Sequence, residues 1–275
     1  MLRGRVSEDI YVFTSELYAQ VTTGAIVTPA GAVLIDTLPF PVESRELAAT
    51  VNRTCSAGVR YVVLTHYHAD HTYGTFLFPK ADVVAHAKCS ELLRTVGAPA
   101  LAAAKAEEPD LEDVIIRLPD ITFEEGEIVL QMGNKIMRLI HSPGHTEDSI
   151  MVYVEEDRVL FAADTVMPVP SIVDGNVETL RASLQKVSNL PIENLIQGHG
   201  EVVLRGEVTG IIKSSLSYLD KLESQVDKVI KSSKGEKGLA KISIESCGLS
   251  RIPLNGLVQE IHQANLLYLY SQRTD

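Results

Sequence analysis

The chain has 275 residues, 45% of them hydrophobic, with a formal net charge of -11 and a pI near 5.2. That length allows a large core plus a smaller appendage, and an acidic chain without any basic run excludes a nucleic-acid phosphate backbone as the expected partner. Trp is absent and aromatics are 5%, no stretch nears the ~18 apolar residues of a membrane span, and no signal-like apolar core follows Met1; the expectation is a cytoplasmic protein with a small-molecule substrate and no membrane or nucleic-acid partner.

In chain order, short β-like runs come first, at 10–13, 24–27 and 32–35, the last two joined through the turn residues Thr28-Pro29-Ala30-Gly31 and the last ending at Asp36. Residues 41–57 then carry Val42, Leu47, Ala48 and Val51 at helical spacing, with Gly58 as a stop. The apolar run Tyr61-Val62-Val63-Leu64 reads as a buried strand. A strand at 82–85 and helices at 87–96 and 99–107 follow, the latter favoured by alanine propensity and expected to flank the site. Strands return at 127–131, 135–140, 149–154 and 159–162, then a helix at 177–187 and a short strand at 194–197. Two sheet-plus-helix halves in sequence result, with sheets inside and helices outside. An amphipathic helix spans 208–230, with Ile212, Leu219, Leu222 and Val226 on its apolar face. A polar linker at 231–237 and a helix at about 255–271 complete the chain. This appendage is open to three roles: a wall of the substrate cleft, a homodimer contact, or added core. Cys55, Cys89 and Cys247 are few and far apart, which fits reduced thiols.

Thr65-His66-Tyr67-His68-Ala69-Asp70-His71 places three imidazoles and a carboxylate directly after the buried strand. On an extended backbone His66 and His68 face the same way and can grip one ion. A turn after His68 would aim Asp70 and His71 at a second ion nearby, with a shared water between the two. Three further candidates sit near strand ends, where site residues project: His145 in Ser142-Pro143-Gly144-His145-Thr146, Asp164 after the strand at 159–162, and His199 in Gly198-His199-Gly200. The glycines beside His145 and His199 permit tight turns there. His86, His141 and His262 read as packed or surface histidines, with His141 at most an outer neighbour of the site. Tyr67 is either a substrate contact or a loop-packing ring.

The strings THYHADH, SPGHT, FAAD and GHG, in this order and at these intervals, resemble the metallo-β-lactamase superfamily over about residues 10–205. The resemblance implies an α/β fold, a four-layer αβ/βα sandwich, with a binuclear site between the sheet edges. It implies a catalytic domain at 1–205 with a helical extension at 206–275 packed on it. It also implies that His66, His68 and His145 hold one metal and Asp70, His71 and His199 the other, with Asp164 bridging. Within the family, Asp164 is unlike true β-lactamases, which lack the bridging aspartate. The full set is similar to glyoxalase II-type thiolester hydrolases, although Ala163 stands where they have glycine and no glutathione-binding basic motif is found. Lactonases of this family carry tyrosine where this chain has Met167, the tRNA-processing and cleavage-factor nucleases use domains absent here, and diiron oxygen reductases replace the second histidine, His68, by glutamate.

The chemistry expected is hydrolysis of an ester, thiolester or related bond by a hydroxide shared between two divalent ions. Asp70 is the catalytic proton handler. Zinc is the default ion for this donor set, and iron or manganese also suit it. Two divalent ions against Asp70, Asp164 and one hydroxide leave a charge of about +1, which favours an anionic substrate group. The alternatives are a mononuclear iron dioxygenase of the persulfide type, using part of the ligand set, and a metal-binding protein without turnover.

Overall fold

The strand runs are apolar at consecutive positions, Gly31-Ala32-Val33-Leu34-Ile35 being buried throughout, so both faces of each sheet have to be covered. The computed structural model describes residues 1–232 and 235–274 and meets that demand with two sheets face to face and helices outside them. The first sheet contains β1 (Leu2–Arg5), β2 (Ile10–Thr14), β3 (Thr22–Thr28), β4 (Gly31–Ile35), β5 (Val59–Val63), β6 (Asp82–His86) and β7 (Ile121–Phe123), side by side in that order. It is antiparallel up to β4 and parallel from β4 onward. The second contains β8 (Glu127–Met132), β9 (Lys135–His141), β10 (Ile150–Val154), β11 (Val159–Ala163), β12 (Asn194–Gln197) and β13 (Val202–Leu204), again neighbours in chain order. Only β11 and β12 pair in parallel there.

Side-chain alternation sorts the core into layers. Val33 and Ile35 of β4, Val63 of β5 and Val159 and Phe161 of β11 meet between the sheets. The intervening Ala32, Leu34 and Val62 turn outward against Leu47 and Val51 of α1 (Pro41–Thr54). A single turn, α2 (Ala69–Thr72), follows β5; α3 (Ala87–Leu92) and α4 (Ala98–Glu107) follow β6, with a π turn between them. Leu101 of α4 packs with Tyr73, Leu111 and Val114, so this region backs the segment that follows the histidine motif. On the other side, Leu160 and Ala162 of β11 face Leu180 and Leu184 of α5 (Val177–Ser188), Leu219 and Leu222 of α6 (Arg205–Lys231), and Leu266 of α7 (Val258–Thr274). This is the α/β sandwich with a C-terminal helical region that the motifs imply.

Three differences from the sequence expectation have local causes. The edge strands β1 and β7 escape pattern reading because they are short and largely exposed, and β13 because it has only three residues. The last helix starts three residues later than expected, at Val258, because Leu254 and Asn255 adopt left-handed backbone at φ +52° and +54° and break it. Of the expected polar linker, Ser233 and Lys234 lie outside the described residues, and Glu236–Lys241 forms a 3-10 helix. No helix among the described residues is long and apolar enough to cross a membrane. Cys55, Cys89 and Cys247 are free and buried.

Candidate metal centre

The histidine motif leaves the end of β5 as a loop, and β5 itself stops at Val63. His66 and His68 therefore do not share a face by strand alternation, as expected from the sequence; the loop brings them together with different ring atoms inward. His66 Nε2 lies 3.1 Å from His68 Nδ1, and that same Nδ1 lies 3.0 Å from His145 Nε2. The chain then turns into α2, whose first turn carries Asp70 and His71. From the second sheet, His145 comes from the loop after β9, Asp164 directly follows β11, and His199 lies two residues beyond β12. Backbone bonds pin the two sheets together here: Ile150 N donates to Thr65 O at 2.8 Å, Thr22 N to Gly198 O at 2.8 Å and Gly200 N to Gln20 O at 2.9 Å.

All seven expected residues converge, in two adjacent groups: His66, His68, His145 and Asp164, and Asp70, His71 and His199, each with donor atoms within 4.8 Å of one another. Asp164 faces both groups. Its Oδ2 is 3.4 Å from His145 Nε2 and 3.5 Å from His199 Nε2, and its Oδ1 is 3.3 Å from His71 Nε2. Asp70 Oδ2 is 3.4 Å from His199 Nε2 and 3.8 Å from His71 Nε2.

Each imidazole is held from behind. His66 Nδ1 bonds Thr65 Oγ1 (3.1 Å), His68 Nε2 pairs with Asp174 Oδ2 (3.2 Å), and His71 Nδ1 with Asp36 Oδ2 (2.8 Å). His145 Nδ1 donates to Ser171 O (3.1 Å) and His199 Nδ1 to Ala19 O (2.9 Å). With the outer nitrogen of every ring engaged by an oxygen, the inner nitrogen is left as a lone-pair donor, the arrangement metal-binding histidines require. His71 Nε2 and Asp164 Oδ1 are buried and, although 3.3 Å apart, make no well-aligned hydrogen bond to each other or to any other group, a costly state unless something else satisfies them. The residues therefore fit a pair of cations. Burial opposes charge on His66, and the neighbouring His71 and His68 lower its pKa further; burial likewise pushes His145 down to about 4. Both rings are neutral near pH 7, as ligands must be; on His71 and His199 burial also opposes charge, but Asp164 and Asp70 raise their pKa, so these two rings would release a proton as an ion enters. Burial also opposes charge on Asp164, but His199, His71 and His145 hold its carboxyl well below the usual carboxylate range.

Asp36 and Asp174 have no role in the sequence reading. Asp36 did carry a signal, a carboxylate ending a buried strand; it also accepts from Thr65 N and Thr65 Oγ1, both at 2.7 Å, and so locks the start of the motif. Asp174 sits in an unpatterned loop and carried none. Seven described non-glycine residues have positive φ, and four adjoin the site: Ala19 and Asp36, which bond His199 and His71, Gln20, which bonds Gly200, and Ala163, which precedes Asp164. Ala163, at φ +45°, stands where the resembled thiolester hydrolases have glycine, the residue that adopts this backbone without strain. Tyr67 packs its ring edge against His68 at 4.6 Å and against the outer core of the first sheet. His86 and His141 stack on each other at 4.0 Å, and His262 bonds Tyr218 and Ile242.

Gly198 serves proximity, not a turn. A Cβ there would stand 1.8 Å from Asp164 Oδ1 and 2.8 Å from the Ala163 carbonyl carbon. Gly198→Ala should displace Asp164, destabilise the fold by about 1–3 kcal/mol as overpacking does, and weaken ion retention; thermal melts with and without added zinc measure both. Wild-type ion affinity in this variant would show that Asp164 does not set the site.

A model of the metallo-beta-lactamase superfamily matches residues 19–199. A beta-lactamase-like protein 2 homolog of Caenorhabditis elegans is 25% identical over 205 residues, 74% of this chain and 63% of that protein. An atrochrysone carboxyl ACP thioesterase of Claviceps purpurea is 23% identical over 212 residues, 76% of this chain and 59% of that one. A hydroxyacylglutathione hydrolase of Rhodopseudomonas palustris is 33% identical over 141 residues, 50% of this chain and 47% of that one. The chain thus spans about half to three-fifths of these relatives' length. Among solved structures, the stereoselective inverting sec-alkylsulfatase Pisa1 from Pseudomonas sp. superposes with a TM-score of 0.76 at 15% identity, over 99% of this chain and 50% of that one. A metallo-beta-lactamase from Pontibacter korlensis superposes with a TM-score of 0.64 at 20% identity, over 80% of this chain and 98% of that one. These two likenesses concern the fold.

Proposed function

Because the chain belongs to the metallo-beta-lactamase superfamily, we propose that it is a binuclear metal-dependent hydrolase cleaving an ester or thiolester bond in a small molecule. The observation that carries this reading is the pair of adjacent donor groups that share Asp164, with buried donor atoms on both sides of it. His66, His68 and His145 would hold one ion, Asp70, His71 and His199 the other, and Asp164 both. Two divalent ions bound there would supply a nucleophile at neutral pH, by lowering the pKa of a shared water, and would polarise the substrate carbonyl. Zinc suits the all-nitrogen-and-oxygen donor set.

The chain's own residues divide the remaining work. Only His68 and Asp70 among the seven keep appreciable side-chain exposure, 21% and 16%, so the substrate approaches over them. Asp70 Oδ2 is placed to take a proton at the attack and return it to the leaving atom. Asp36 and Asp174 fix His71 and His68, and Asp174, whose carboxyl the hydrogen bond from His68 holds low, adds a negative charge that the count of about +1 omits. The reacting group of the substrate then needs to be polar, with no requirement for a net negative charge. A thiolester is favoured among the bond types because one similar protein is named as a thioesterase.

Elemental analysis of protein expressed in metal-replete medium should find two ions per chain, and a screen of thiolesters, esters, lactones, phosphodiesters and persulfides should find turnover among the first two. One tightly held iron with oxygen uptake on a persulfide would replace this reading by the dioxygenase.

A further inference from the structure

A cleft of about 750 Å³ opens beside the metal centre, between the end of the second sheet and the C-terminal helical region. That is the size range of small-molecule sites. Its inner wall is Met167, Pro168 and Gly200. Met167 is three residues beyond Asp164, hence within about 11 Å of it, and Gly200 adjoins His199, with Cα atoms about 3.8 Å apart. The outer wall is Ile211 of α6 together with Leu249, Ile252 and Leu254. The walls meet closely: a Cβ built on Gly200 would be 3.5 Å from Pro168 Cγ and 3.7 Å from Leu254 Cδ2.

Two features single this cleft out. Left-handed, non-glycine backbone brackets it, Gln20 on one side and Leu254 and Asn255 on the other. Such strain costs on the order of 1 kcal/mol or more per residue and persists where a site demands it. Its chemistry is also one-sided. Its lining has as many polar as apolar side chains, but apolar atoms make up most of the exposed surface, Glu201 is the sole charged residue among those lining it, and no cation is present to receive a carboxylate or phosphate. Ile252 holds a large aliphatic side chain at 79% exposure on the rim, a position that water alone does not favour.

Resting on the hydrolase reading above, we infer that this cleft binds a neutral, apolar group of the substrate, an alkyl chain or aryl ring joined to the scissile bond. The polar reacting carbonyl would lie over Asp70 and His199, and the hydrocarbon would extend past Gly200 and Met167 against the C-terminal wall. An anionic carrier such as glutathione gains nothing from this wall.

The test uses the whole chain loaded with zinc. N-phenyl-1-naphthylamine, a neutral apolar fluorophore, should bind at one saturable site and be displaced by 1-octanol. Ser214→Trp, on an exposed position of α6 that lines the cleft, should weaken that binding at least tenfold, and Ile252→Glu several-fold, with ion content and melting temperature unchanged. For acyl thiolesters of N-acetylcysteamine, kcat/KM should rise by about fourfold per methylene that enters the cleft, and Ser214→Trp should flatten the series. Probe binding that Ser214→Trp removes, without hydrolysis of any ester or thiolester, supports the cleft and sinks only the hydrolase reading. Probe binding indifferent to both substitutions, or a flat chain-length series in wild type, overturns the inference. So does a wild-type dimer that Ile252→Glu dissociates while probe binding is unchanged, since the face would then join two copies.

Discussion

Asp164→Ala is expected to leave a protein with one ion per chain and little hydrolase activity. The carboxylate lies 3.4 Å from His145 on one side and 3.3 and 3.5 Å from His71 and His199 on the other, so it is the only one of the seven that serves both donor groups. Divalent ions at about 3.5–4 Å from each other repel strongly, and a negative charge between them is what makes the pair tolerable. Without it, three imidazoles still converge from His66, His68 and His145. The other group keeps Asp70 and two rings, one of which, His71, is fully enclosed. The ion held by Asp70, His71 and His199 should therefore leave first. Titrating zinc into stripped wild type and variant while following rate settles the matter: full activity at one ion per chain, in either protein, would falsify the two-ion mechanism and return Asp164 to an ordinary strand-end carboxylate.

In Asp70→Asn, turnover should drop about a hundredfold or more, the scale for losing general acid-base help, while ion content falls less. Asparagine retains an oxygen in nearly the same place but not the charge or the basic site. Asp70 is the one carboxylate of the seven open to the solvent side, and His199 and His71 flank its Oδ2. A variant that loses ions in proportion to rate would make Asp70 a ligand only; one that loses neither would remove it from the site altogether.

The histidine motif was legible because its signal is local, three imidazoles and a carboxylate directly behind a run too apolar to be anything but a buried strand, whereas grouping His145, Asp164 and His199 with it rested on the family resemblance. The outward facing of the helices was legible for the same reason, since Leu47 and Val51, or Leu219, Leu222 and Val226, repeat on one face. What was hidden depends on pairings across long separations. Asp36 finds His71 thirty-five residues away, and Asp174 finds His68 only because the loop after β11 folds back. Left-handed backbone at Ala19, Gln20 and Ala163 is equally silent, because alanine and glutamine carry no bias toward it. His68 presenting Nδ1 while its neighbours present Nε2 follows from which oxygen stands behind each ring, a tertiary fact.

His66, His68, Asp70 and His71 leave the first sheet, and His145, Asp164 and His199 leave the second. Neither donor group is complete within one half, so each ion would act as a rivet through the interface between halves. Opening that interface, even briefly, would require the ions to let go, and losing them would leave only the weaker pairs of His71 with Asp164 and of Asp70 with His199 across it. Ion residence and mechanical cohesion of the sandwich would then be one property: a slow-exchanging ion makes a molecule that rarely breathes, and a chelator attacks the architecture as well as the chemistry.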